Sequence, residues 1–410
     1  MTDEEVFSIE ELQDYLQSYA TKNIKLVSPK FHITKPSKQG DNYMSTVYRV
    51  TIEGTDEGNG DVKNIDLIVK TRRNLQQLGD MKDKLTKMFE REIFFYQTIV
   101  PIFEEIAEKH GKTIACYPSF CDVSAEVGRE ILILEDLTSE GFVLKGSTLM
   151  DYPHLSLALR CLGEFHAYSL ITRAENPTAF EQLKMEEHFC KKDEPYLYNE
   201  QIISYFEILC DIITKVLADE DRHYIERFRR FIDNLSQEMF DVIFPNQLEP
   251  HAVVVHGDFW TNNMLFKYEF QEGAPCDVRF IDFQLSRYVS PVVDLAHIIF
   301  NCCTPETRRK HYDQLINEYH EALSECVKSY DYDPDVLFPY EKVRQHLMKY
   351  GKYAAGTALF GVPFLFNDTE DKSMENIFSR AVLEHNLENN SVFRNAIKAA
   401  FKDLVDKNII

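Results

Sequence analysis

The 410-residue chain has no apolar run approaching the ~18 residues a membrane-spanning helix needs, so no span is expected. It has no C-x-x-C pair, and its nine cysteines are odd in number and irregularly spaced. That argues against both a disulfide framework and a structural zinc site, with the adjacent Cys302 and Cys303 read as core. The opening Met1-Thr2-Asp3-Glu4-Glu5 is acidic where a secretory leader would be basic and then apolar, so a reducing, cytoplasmic setting is expected. A basic patch is also missing. The formal net charge is -22, and Lys82, Lys84 and Lys87 are broken up by Asp80, Asp83 and Glu90, which reads as a solvated helix face. A nucleic-acid partner is therefore not expected. There is no internal repeat and no low-complexity tract, and no obligate protein partner is evident. The absence of G-x-x-x-x-G-K-[ST] excludes a Walker-type NTPase, and the absence of G-x-S-x-G removes support for an α/β-hydrolase.

What is present is an ordinary globular composition, 44% hydrophobic and 27% charged, long enough to bury a large core. Residues 1–30 read as an acidic amphipathic helix and a lead-in that closes near Pro29. Val47, Tyr48, Val50 and Ile52 predict a strand, a turn-rich stretch covers 54–61, and Ile65–Lys70 predicts a second strand, making an antiparallel hairpin. Met88, Phe89, Ile93 and Tyr96 recur at helical spacing within 80–110, and Ile131–Leu134 reads as a buried strand. Beyond about residue 145 helical patterns dominate, at 155–172, 195–218, 222–243 and most of 304–410. Short strands interrupt them at 252–256, 263–267 and 278–283. The expected class is α+β: a small antiparallel-sheet lobe over residues 1–137 and a larger, mainly helical lobe over 138–410.

Two of those short strands end in chemistry. Val253-Val254-Val255 delivers His256-Gly257-Asp258, with Asn263 five residues after the aspartate. Val278-Arg279-Phe280-Ile281 delivers Asp282-Phe283-Gln284. Phosphoryl transfer needs this combination. One carboxylate takes the proton of an attacking hydroxyl, while a second carboxylate and an amide oxygen hold magnesium against nucleotide phosphates. Hard oxygen donors suit magnesium rather than zinc. Asp258 is accordingly the candidate catalytic base, and Asn263 and Asp282 are the candidate metal ligands. His256 is read as bracing the loop. Trp260, the single tryptophan, either packs under the loop or lines a substrate pocket. In the first lobe Lys70 closes a strand and fits the phosphate-binding lysine, with Glu92 as its helix partner and Glu90 as the competitor. A phosphate-covering loop should precede it. Gly40-Asp41-Asn42-Tyr43-Met44-Ser45 is the candidate, with Asn42 and Ser45 offering polar groups. Between the lobes, Leu134-Glu135-Asp136-Leu137 would supply backbone groups to the adenine edge, with Glu135 and Leu137 as the contact positions.

Together with Phe89-x-x-Glu92-x-x-Phe95-Tyr96 and Leu162-Gly163-Glu164-Phe165-His166-Ala167, these segments resemble the ecdysteroid kinase-like family, a branch of the choline/aminoglycoside-type kinases abundant in insects. The resemblance implies a two-lobed protein-kinase-like fold. It also implies ATP and Mg2+ as cofactors and transfer of the γ-phosphoryl group to a hydroxyl of a small molecule: an ecdysteroid, another steroid or a xenobiotic. It carries over Asp258 as base, Asn263 and Asp282 as metal ligands and Lys70 with Glu92 as the ATP-positioning pair. His166 matches a family position but lies on an apolar helix face and reads as a core histidine. Asp282-Phe283-Gln284 stands where protein kinases have Asp-Phe-Gly, and no Ala-Pro-Glu follows, which argues against a flipping activation segment and a protein substrate. Two other readings stay open: a choline- or ethanolamine-type kinase, and a catalytically silent nucleotide-binding pseudokinase. Phe300, Tyr350, Tyr353, Phe360 and Phe364 are candidates to line the pocket, though a core role is the stronger reading for each.

Overall fold

A computed structural model of the chain describes residues 6–35, 45–73, 81–147, 149–187, 200–217, 222–244, 249–270, 273–366, 374–377 and 379–410. The chain divides into two units, Met1–Val143 with Arg279–Leu285, and Leu144–Val278 with Ser286–Ile410.

In the first unit, Tyr48, Val50 and Ile52 alternate along β2 (Ser45–Asp56), and Leu67 and Val69 along β3 (Val62–Arg72). The two strands pair antiparallel with Val47 opposite Lys70. With β1 (Leu26–Thr34), β4 (Phe120–Ser124) and β5 (Ile131–Glu135) they form one antiparallel sheet in the order β1-β2-β3-β5-β4. Helix α1 (Ile9–Lys22) starts at a capping box in which Ser8 and Glu11 satisfy each other's backbone amides. It lays Leu12, Leu16 and Ala20 on the face built by Tyr48, Val50, Ile52, Leu67, Val69, Ile131 and Ile133. Each buried Leu, Val or Ile among them stabilises the unit by roughly 1.5–3 kcal/mol. Because strand side chains alternate, Lys70 and its cross-strand neighbour Leu132 face the other way. Three helical segments follow β3: α2 (Met81–Phe94), a π-helical turn at Phe95–Ile99 and α3 (Val100–Lys109).

The expected lead-in closing near Pro29 is instead the edge strand β1, which runs through that proline. The position tolerates it for a physical reason. An edge strand need not donate its outer amides, and the pairing with β2 is irregular between Val27 and Lys30, where Ser28 takes φ +53°.

The second unit is mainly helical. Its longest helices, α4 (Tyr152–Glu175) and Pro305–Lys328, pack along each other, and Gly163 allows the close approach. A Cβ at Gly163 would stand 2.3 Å from the Tyr319 carbonyl oxygen. The wholly buried strand Val253–Val255 pairs antiparallel with Arg287–Val289, and Met264–Tyr268 neighbours Pro275–Phe280. Every residue of the helix Val292–Asn301 is buried. The expected α+β class, with sheet toward the N-terminus and helices toward the C-terminus, is what the chain adopts.

Candidate active site

Within the first unit, β3 and α2 bring Lys70 and Glu92 together. Lys70 Nζ donates to Glu92 Oε1 at 2.6 Å and to Asp282 Oδ1 at 3.0 Å. Glu92 is buried and Glu90 exposed, so Glu92 makes the pair. Burial alone would depress the Lys70 pKa, but the carboxylates of Asp282 and Glu92 outweigh it and raise it, so the ammonium is charged at neutral pH. Burial pushes Glu92 up to about 7, with Lys70 opposing. The helix turns π-helical three residues after Glu92, a local widening frequent at functional sites. The segment carrying Asp282 is anchored on both sides. The Phe280 amide donates to the Cys116 carbonyl at 2.8 Å, and the Phe283 ring stacks on Phe95 with centroids 3.8 Å apart. Between these anchors Asp282 has φ +69°, a left-handed conformation an aspartate visits at a cost, which the flanking contacts hold. Lys70 engages Oδ1, so Oδ2 of Asp282 is the oxygen left for another charge.

In the second unit the strand Val253–Val255 ends at His256, and the chain turns at Gly257, whose φ of +82° favours glycine. Asn263 Nδ2 donates to the Asp258 carbonyl oxygen at 2.9 Å and to Asp258 Oδ2 at 3.0 Å. The amide nitrogen is thereby committed to Asp258, and Oδ1 of Asn263 points away from it as an oxygen donor. Beneath the loop lies Asp294, fully buried. Its Oδ2 accepts from the His256 amide at 2.6 Å and its Oδ1 from the Gly257 amide at 2.9 Å. His166 Nε2 stands 3.3 Å from Asp294 Oδ2, and His166 Nδ1 bonds Tyr319 Oη at 2.9 Å. Burial raises the Asp294 pKa, but the bond to His166 and the loop amides outweigh it, so the carboxylate stays ionised. The Asp258 amide donates to His256 Nδ1 at 3.3 Å, and Tyr353 Oη donates to the Gly257 carbonyl at 3.1 Å. Trp260 is half-buried.

Ser45 opens β2, buried and in register with Arg72. Asn42, with Gly40, Asp41 and Tyr43, lies outside the described residues. Glu135 ends β5, where its Oε2 accepts from the Ser119 amide at 3.1 Å. The cap of the next turn is Asp136, whose Oδ1 accepts from the Thr138 amide at 3.0 Å. Leu137 is buried, its carbonyl accepting from the Phe142 amide at 3.2 Å. Phe300, Tyr350 and Tyr353 are buried, while the side chains of Phe360 and Phe364 lie outside the described residues. Asp294 was not among the residues singled out from sequence. Its signal is a lone carboxylate inside the apolar run Val292-Val293-Asp294-Leu295-Ala296. Among the described residues no helix is long and apolar enough to cross a membrane.

The pattern that defines the ecdysteroid kinase-like family matches residues 39–332. The chain belongs to that family. The family is one of kinase-like small-molecule phosphotransferases, and the chain is also similar to several solved structures. Aminoglycoside 2'-phosphotransferase-IIIa, in its GDP complex, is 14% identical with a TM-score of 0.37, over 85% of this chain and 97% of that one. Aminoglycoside phosphotransferase APH(3'')-Id of Streptomyces rimosus, in complex with ADP and streptomycin, is 14% identical with a TM-score of 0.25, over 81% and 97%. Aminoglycoside-3'-phosphotransferase of type VIII is 14% identical with a TM-score of 0.31, over 78% and 96%. No curated protein matches the chain.

Proposed function

We propose that this ecdysteroid kinase-like protein transfers the γ-phosphoryl group of ATP to a hydroxyl of a small molecule, with an ecdysteroid, another steroid or a xenobiotic as the acceptor class. The observation that carries the reading is the buried ammonium of Lys70 held by two carboxylates, Glu92 and Asp282. Burying an ion pair is weak support for stability, since desolvation offsets the attraction. A lysine held this way in a kinase-like chain is readily explained as a cation prepared for phosphate oxygens.

In this reading Lys70 binds the nucleotide phosphates and Glu92 keeps its ammonium in place. Ser45, Asn42 and the backbone around Glu135 and Leu137 belong to the nucleotide's surroundings. Asp282 Oδ2 and Asn263 Oδ1 have the hard-oxygen character that Mg2+ requires and would hold it. When bound, the ion neutralises charge on the phosphates. Asp258 is the base: the acceptor oxygen bonds to the γ-phosphorus, the bond to the ADP oxygen breaks, and the acceptor proton passes to the Asp258 carboxylate. Asn263 Nδ2 fixes that carboxylate through Oδ2. A cytoplasmic setting suits such chemistry, since ATP is at hand there.

The test is Asp258→Asn. ATP binding should stay within about twofold of wild type, while phosphoryl transfer, read by mass spectrometry of a hydroxyl-compound library incubated with ATP, should fall at least ~10³-fold. A wild type that binds ATP and phosphorylates nothing in that library would favour the pseudokinase reading. Turnover confined to choline or ethanolamine would favour that branch of kinases.

A further inference from the structure

Next to the loop that carries Asp258, two buried polar atoms lack partners. His297 and Asn301 lie one turn apart on the helix Val292–Asn301, 8% and 4% exposed, and neither His297 Nδ1 nor Asn301 Oδ1 meets a hydrogen-bond partner among the described residues. Buried polar groups are normally paired, so two on one helix face require an account. The helix Tyr353–Phe366 shows where they point. Asn301 Nδ2 donates to Thr357 Oγ1 at 2.6 Å, and the His297 ring meets the Tyr353 ring edge-on with centroids 6.2 Å apart. Both side chains therefore reach into the seam between the two helices. The seam lies beside the catalytic loop, because Tyr353 Oη bonds the Gly257 carbonyl and Asp294, which holds that loop, is on the same helix as His297.

Hydrogen-bond counting fixes the polarity of this place. Thr357 has one hydroxyl proton, and it goes to the carbonyl of Tyr353 or Ala354, 3.1 and 3.2 Å away. Toward Asn301 the hydroxyl can only accept, so Asn301 presents its NH2 to Thr357 and its carbonyl oxygen to the seam. A group that reaches Oδ1 must donate to it. His297 Nδ1 then accepts or donates according to tautomer. We propose that His297 and Asn301 form a subsite for a second hydroxyl of the acceptor molecule, distinct from the hydroxyl that is phosphorylated. The inference rests on the phosphotransferase reading and narrows its acceptor to a diol or polyol. A hydroxyl donates to Oδ1 and can accept from the ring in the same geometry. An ammonium would bring charge to a place whose nearby carboxylate, Asp294, already serves His256, Gly257 and His166. A quaternary ammonium has no proton to donate and would leave both atoms unpaired.

The experiment uses the full chain without ATP. Binding of cis-1,2-cyclohexanediol, cyclohexanol and cyclohexylamine at millimolar concentration is followed by ligand-observed NMR, with thermal unfolding as the check on folding. The diol should bind wild type at least tenfold more tightly than cyclohexanol, and that advantage should vanish in Asn301→Leu and in His297→Phe. Should Asn301→Leu fail to fold, His297→Phe alone decides. Equal binding of diol and alcohol, no binding of the diol, preference for the amine, or an advantage that survives the substitutions would each overturn the proposal. A structural water alone would show as a lowered Tm in Asn301→Leu with diol binding unchanged, and that too overturns it. No step depends on ATP, so failure here is separate from failure of the phosphotransferase reading, which Asp258→Asn tests.

Discussion

Two carboxylates share the Lys70 ammonium, and they are not equivalent. Glu92 is buried with its pKa raised to about 7, whereas Asp282 is part-exposed and strained into a left-handed turn. Replacing Glu92 with Gln keeps shape and removes the charge that holds Lys70. The Michaelis constant for ATP should rise about tenfold or more, in line with the worth of a charged hydrogen bond, and ATP titration of Glu92→Gln measures it. The same substitution has a pH signature. A carboxyl with a raised folded pKa binds its proton more tightly when folded, so its contribution to stability falls as pH rises from about 4.5 through about 7. In Glu92→Gln that part of the pH dependence should be missing from urea unfolding curves. At this scale an apolar run is what draws attention to Lys70, Asp258 and Asp282; in the structure Lys70 lies within β3, and the two aspartates lie just beyond the strands Val253–Val255 and Pro275–Phe280. Asp294 was harder to read because its partners are backbone amides, which leave no mark in sequence.

Among the elements, α4 and the helix Pro305–Lys328 depend on a missing side chain. A Cβ at Gly163 would meet the backbone of Tyr319 at 2.3 Å and of Leu323 at 2.9 Å, and backbone cannot turn aside as a side chain can. Gly163→Ala should therefore destabilise by about 3 kcal/mol, the upper end of overpacking costs, despite alanine's better helix propensity. The urea midpoint should shift down, and an unchanged midpoint would mean the helices can separate freely. The hairpin β2–β3 was legible from its β-branched and aromatic residues about a turn-rich stretch, and the strand Val253–Val255 from its unbroken apolar run. The edge strand β1 was not, because Pro29 reads as a breaker until the strand is known to lie at an edge. Nor does any local pattern say that Arg279–Leu285 belongs with residues two hundred positions earlier. That membership rests on the Phe283–Phe95 stack and the Phe280–Cys116 bond, both long-range.

For the whole molecule, acid is the condition that buried imidazoles feel first. Burial lowers the pKa of His346 to about 4, with His251 and Lys342 adding to the effect, and its Nδ1 lies 2.8 Å from Ser290 Oγ. The unfolded chain protonates this group near pH 6.5 and the folded chain only near pH 4, so stability falls as pH drops through that window. The slope from one such histidine is about 1.4 kcal/mol per pH unit. Comparing wild type with His346→Gln between pH 7 and 4 should show a shallower loss in the variant, and parallel curves would exclude His346 as a cause. The loop carrying Asp258 has a different relation to the whole. Asp294 holds it by the amides of His256 and Gly257, groups that every non-proline residue supplies. Asp294 thus grips main chain, while the loop's own shape rests on Gly257, His256 and Asn263. The anchor beneath the loop is therefore blind to side-chain identity at position 256, provided the residue there is not proline.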